Sequence, residues 1–239
     1  MITQYILPVI GSFLAAAISG AAGFGGALLL LPLLAASVGA EQAVPLLTVA
    51  QLIGNLARAG FGFKHIRWKP VLIFIAAAVP AAALGAFSFV NLEKSLANRF
   101  IGGAIIVFVL LRVTGVLKFK PGNTLLLIGG AVVGYLSGLV GSAGPIGAAV
   151  FSTLGLPPVA YIASEATTAL AMHVVKTMIY QNFITLDRNF WVLASLMGLA
   201  MILGTWAAKR VIEKLSPERF QKFVTVLLIA IGIYMVIHG

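Results

Sequence analysis

The chain has 239 residues, of which 61% are hydrophobic and only 9% charged, and its mean hydropathy is +1.08. A water-soluble domain carries roughly a quarter of its residues as charges. This one cannot cover a globule with polar surface and must use lipid as its solvent. The net charge of +10 would suggest nucleic acid in a soluble protein, but the cations fall in short segments between apolar runs, with no stacking aromatics among them, and read as topology signals at a membrane surface. The absence of cysteine excludes disulfides, thiolate metal sites and thiol catalysis.

The apolar runs cover 4–19, 26–38, 43–62, 70–90, 99–117, 124–140, 145–156, 158–181, 189–208 and 220–238. The first has no basic stretch ahead of it and no clear A-x-A-like cleavage site, so it is expected to belong to the mature protein. Most runs approach the ~20 residues of a spanning helix. Runs 26–38 and 145–156 do not, and each follows a glycine cluster: S-G-A-A-G-F-G-G from Ser19 to Gly26, and S-G-L-V-G-S-A-G from Ser137 to Gly144. Each short run is expected to pair with the run before it as a broken or re-entrant helical hairpin. The expected fold is an all-α polytopic membrane protein with no inserted soluble domain.

The two clusters are one feature of an internal repeat. A shift of about 118 residues brings Ser19-Gly20, Gly23 and Gly26 onto Ser137-Gly138, Gly141 and Gly144, and Arg58 onto Lys176. A slightly larger shift brings L-E-K-S-L-A-N-R-F (92–100) onto I-E-K-L-S-P-E-R-F (212–220). The chain therefore divides into a first transmembrane repeat, 1–120, and a second, 121–239, of about five membrane segments each. The basic clusters at 64–69, at Arg112, Lys118 and Lys120, and at 209–222 all fall on the cytoplasmic side in one topology. In that topology both termini are extracytoplasmic and the second repeat is inverted relative to the first.

The glycine clusters carry the chemistry. A helix break in lipid is tolerable only where protein or water surrounds the freed backbone groups. The restarting half-helix presents N–H groups and a positive dipole end to an anion. The turns concerned are Gly23, Phe24, Gly25 and Gly26, and Gly141, Ser142, Ala143 and Gly144, with Pro145 suited to an early helical position. Tight helix packing through small residues is the other reading of the same glycines. On run 43–62, Gln51, Asn55 and Arg58 share one helix face, and on run 158–181 so do Glu165, His173 and Lys176. The repeat matches Asn55 to His173. Arg58 and Lys176 either face a cavity and draw an anion or snorkel to the surface. Glu165 and His173 are candidate proton carriers. Glu165 could equally serve as a buried ion-pair partner or helix-start charge, and His173 as a packed, hydrogen-bonded residue.

Trp68, Trp191 and Tyr161 lie near run ends and fit an interfacial aromatic belt, and Pro80 is expected to kink run 70–90. No nucleotide-binding loop, HExxH or G-x-S-x-G pattern is present, so no enzyme is expected, and no cofactor or metal. The paired S-G-x-x-G-x-x-G motifs, on short hairpins in a small basic chain, resemble the sulfite exporter TauE/SafE family (TSUP) over essentially the whole length. The resemblance implies secondary transport of small sulfur-containing anions, such as sulfite, sulfoacetate or a related organosulfonate, across the bacterial inner membrane. Some members take other carboxylate or sulfur substrates. An anion channel built on the same half-helix ends and a non-transporting scaffold are the rival readings, and monomer and homo-oligomer are both open.

Overall fold

A computed structural model describes residues 2–22, 26–38, 40–88, 121–141, 143–182 and 187–212, with isolated positions at 106 and between 216 and 237. Most of runs 99–117 and 220–238, the 92–100 match and Arg112, Lys118 and Lys120 lie outside the described residues, as do Gly23, Phe24, Gly25 and Ser142. Every regular element among the described residues is helical. In chain order these are α1 (Ile2–Ala22), α2 (Gly26–Val38), α3 (Ala40–Phe61), a 3-10 turn (Phe63–His65), α4 (Trp68–Ser88), α5 (Asn123–Val140), α6 (Gly144–Ser152), α7 (Pro158–Tyr180) and α8 (Arg188–Ile212). The segments Gln42–Phe61, Trp68–Ser88 and Arg188–Arg210 are long and apolar enough to cross a membrane. The 13 residues of α2 and the 9 of α6 are not: at ~1.5 Å per residue they fall well short of a ~30 Å hydrocarbon core.

Local chemistry accounts for the helix ends. Pro157 and Pro158 start α7, where the missing N–H costs nothing. Asp187 caps α8 by accepting the Phe190 N–H at 2.8 Å. The α3–α4 turn is tied to α7 by the Arg67 N–H, which donates to Ser164 Oγ at 2.9 Å.

On α4 and α8 several leucines face outward while alanines face inward, as suits helices set in lipid that is as apolar as the core. Leu72 and Leu84 on α4, and Leu199 and Leu203 on α8, are exposed, whereas Ala78 and Ala82 are fully buried. The closest pairings are α4 with α5 and α1 with α8, and α3 crosses α7 at the centre. Gly130, Gly134 and Gly138 recur every four residues along the α5 face that meets α4. A Cβ on Gly134 would sit 2.1 Å from the Ala78 carbonyl oxygen, and one on Gly138 2.3 Å from that of Ala82. Gly204 meets α1 in the same way, 2.3 Å from the Phe13 oxygen. A methyl at these sites collides with backbone that cannot move aside. Gly134→Val should therefore abolish the monodisperse folded species in size-exclusion chromatography. Gly60→Ala meets nothing within 4 Å and should hold or slightly raise the apparent Tm, since alanine favours helix over glycine by up to about 1 kcal/mol.

The aromatic residues divide. Trp68 and Trp191 are exposed, as an interfacial position requires, but Tyr161 is completely buried and donates its hydroxyl to Ala148 O at 3.1 Å. The interfacial expectation for Tyr161 is thus corrected: it is a core residue linking α7 to the short helix α6. Pro80 lies inside α4.

A polar cavity between two broken helical elements

The second glycine cluster divides its labour. Gly138 packs against α4. Gly141 ends α5 in the left-handed conformation, φ 84°, where side chains other than hydrogen are strained. Gly144 then opens α6, with Ala143 as its N-cap and Pro145 in its first turn. Pro145 has no N–H, and the Ile146 and Gly147 N–H groups both donate to Ala143 O, at 3.1 and 3.2 Å. As the first residue of α6, Gly144 has an N–H with no partner inside the helix. Within the motif Gly138 serves packing against α4, while Gly144 starts a helix.

Ala143, Gly144 and Gly147 form one wall of an internal cavity of about 40 Å³. Gln51, Asn55 and Arg58 of α3 face it, as do Glu165 and His173 of α7. Gly26 and Ala27, at the start of α2, complete the side opposite α6. Two residues that had been expected in the site are not among its lining: Lys176 and the turn residue Gly141.

The two repeat-matched cations have different destinations. Both are buried, which removes the snorkelling alternative: Arg58 is 6% exposed and Lys176 0%. Arg58 Nη1 donates to Ser19 O at 3.4 Å and Nη2 donates to Asn55 Oδ1, with the guanidinium on the cavity wall. Lys176 Nζ donates to Ser137 Oγ at 2.9 Å, Gly141 O at 3.1 Å and Ser137 O at 3.3 Å. Each cation thus reaches the carbonyl of the serine that opens its glycine motif, 39 residues upstream. Lys176 spends its three donors there, on two carbonyls and one hydroxyl at the end of α5.

Buried polar groups are almost always hydrogen-bonded. Here Asn55 Nδ2, Glu165 Oε2 and His173 Nδ1 are buried without a partner, and all three belong to cavity-lining residues. The Glu165 carboxylate and the Arg58 guanidinium, of opposite charge, both line the cavity. Ser19, Ser137, Gly147, Phe74, Val133, Thr168 and Met172 line the cavity as well and were not singled out from sequence. The two serines lie inside the quoted motifs, and Gly147 sits one helical turn beyond Gly144; those positions were the available signal. Phe74 carried none. It closes the cavity toward Phe151, and their rings meet edge to face at 5.3 Å.

A small buried polar chamber among described elements that are all helical, three of them long and apolar enough to cross a membrane, suits a membrane transport protein. The model of the sulfite exporter TauE/SafE family matches residues 9–235. The chain belongs to that family, whose members are membrane transporters of sulfur anions. No curated protein and no solved structure matches the chain.

Proposed function

We propose that the protein is a secondary transporter that carries a small sulfur oxyanion across the bacterial inner membrane by alternating access around this cavity. The observation that carries the reading is the coincidence of a buried guanidinium, a helix start and three unpartnered polar atoms in one chamber. Unmet hydrogen-bonding capacity around a fixed positive charge is what a transient anion would satisfy. Gln51, Asn55, Arg58, His173 and the first turn of α6 act as its binding groups, with Gly26 and Ala27 opposite. By the repeat, Gly23, Phe24, Gly25 and Ser142, which belong to the same two glycine motifs, are proposed as further binding groups. Lys176 and Gly141 serve by holding the second hairpin in shape.

Two inverted repeats, 1–120 and 121–239, supply the two gates. The equal 39-residue offsets of the Arg58–Ser19 and Lys176–Ser137 contacts support the duplication. So does the way helix pairs exchange under it, α1 with α8 answering α5 with α4. Both termini lie on the extracytoplasmic side in this scheme. The buried lining favours a carrier over a channel, because a carrier occludes its cargo.

The chamber is small. About 40 Å³ of cavity admits roughly three water-sized spheres, which favours sulfite or thiosulfate over the longer sulfoacetate. In proteoliposome counterflow, labelled sulfite should be displaced by thiosulfate but not by sulfoacetate. Gly147→Ala should sharpen this preference: its methyl would make ordinary contacts, 3.5 Å from Val133 and 3.9 Å from Glu165 Oε1, while filling part of the chamber. Equal displacement by all three anions in both proteins would overturn the proposed cavity site.

A further inference from the structure

Glu165 is an unusual wall for an anion chamber. It is 4% exposed, its Oε2 has no hydrogen-bond partner, and its Oε1 lies against the first turn of α6 at Gly147. Among the described residues it is the one acid on the cavity. The other titratable groups around it are few. Arg58 lines the same cavity from α3. On its own helix His173 shares the cavity, Tyr161 is engaged at Ala148 O, and Lys176 is engaged at the Ser137 hydroxyl and the Ser137 and Gly141 carbonyls. The cavity faces of α4, α5 and α6 bring Phe74, Val133, Ser137, Gly144 and Gly147, none of which titrates. Lys64 and His65 of the 3-10 turn beside α7 are exposed and distant from the chamber wall.

The charges then count simply. With Glu165 ionised, the empty chamber holds Arg58 positive and Glu165 negative, a balanced pair. An entering monovalent anion would leave one net negative charge buried and would sit beside a carboxylate that repels it. Buried uncompensated charge is among the most strongly disfavoured states in a protein. Resting on the anion-site reading above, we propose that the anion and a proton bind together, with Glu165 Oε2 taking the proton. The proton comes from solvent and forms an O–H bond at Oε2; no other bond changes. With a monovalent anion the chamber's net charge is the same before and after, and with divalent thiosulfate the proton cancels one of the two added charges; in both cases Arg58 passes from the carboxylate to the anion. The neutral carboxyl now donates a hydrogen bond to the oxyanion where the carboxylate could only accept. The protein is thereby an anion–proton symporter, and the direction of the proton gradient biases the direction of transport.

The test is isothermal titration of the purified, detergent-solubilised protein with thiosulfate, which stays fully ionised around neutral pH, in buffers of different ionisation heat. Wild type should take up about one proton per anion bound, and affinity should fall about tenfold per pH unit where the free carboxyl is ionised. Glu165→Gln is fixed in the neutral form, so its binding should take up no proton and its affinity should not vary with pH. Proton uptake that persists in Glu165→Gln and disappears in His173→Gln would assign the proton to the histidine and overturn the proposal. Thiosulfate binding by wild type without proton uptake would overturn it while leaving the anion site standing. No binding of thiosulfate or sulfite at any pH would remove the anion site and this proposal with it.

Discussion

Arg58→Ala should reduce sulfite uptake into proteoliposomes by about a hundredfold. Arg58 is the cation on the cavity wall, and its repeat-matched counterpart Lys176 is committed elsewhere. Losing two charge-assisted hydrogen bonds to an anion, at about 1.5 kcal/mol each, removes about 3 kcal/mol of binding, which is roughly a hundredfold in affinity. The same change also orphans Asn55 Oδ1 and the Ser19 carbonyl, so an apparent Tm must be recorded beside transport. Arg58→Lys separates charge from shape: it restores a positive charge but not the flat fork that reaches two partners at once, and should recover only part of the uptake. Wild-type uptake in Arg58→Ala would remove this residue from the mechanism.

Lys176→Met should act on stability first and transport second. The ammonium is fully buried and satisfies three oxygens at the end of α5. Methionine of similar length fills the space but leaves those oxygens without a donor, at about 1–3 kcal/mol for each buried unsatisfied group. For a chain of this size 1 kcal/mol corresponds to roughly 2–4 °C in Tm. A fall of about 10 °C is the expected result, measured by thermal unfolding in detergent. Lys176→Arg should not rescue it, because the larger guanidinium meets a site with no free surface. A transport defect with an unchanged Tm would mean that Lys176 handles the anion directly, as its repeat position first suggests.

The contrast between these cations marks how far the sequence could be read. A spacing of three puts Asn55 with Arg58, and His173 with Lys176, on single helix faces, and the chamber contains three of the four. Periodicity gives the face of a residue but not the reach of its side chain. Arginine spans from the Ser19 carbonyl to the cavity, while lysine ends in a compact ammonium that three nearby oxygens enclose. Gly141 and Pro145 were legible because left-handed backbone and a missing N–H each demand a residue type. Gly138 was legible only as one of two readings, since its packing role depends on α4, a helix more than fifty residues away. Tyr161 misled because an aromatic near a helix start looks alike whether it meets the headgroups or a neighbouring short helix. Phe74 could not be found at all: nothing along α4 distinguishes it from the surrounding apolar residues until α6 brings Phe151 against it.

The backbone-to-backbone seams formed at Gly134, Gly138 and Gly204 have a mechanical consequence. They join α4 to α5 and α1 to α8, so each seam stitches an early helix to a late one. Backbones in direct contact resist sliding, and each stitched pair should travel as one rigid lever. The hinge lines of any opening movement then run between the levers, along α3 and α7, and not through the middle of the chain. The two halves of the polypeptide resemble clasped hands: neither can swing without carrying a finger of the other.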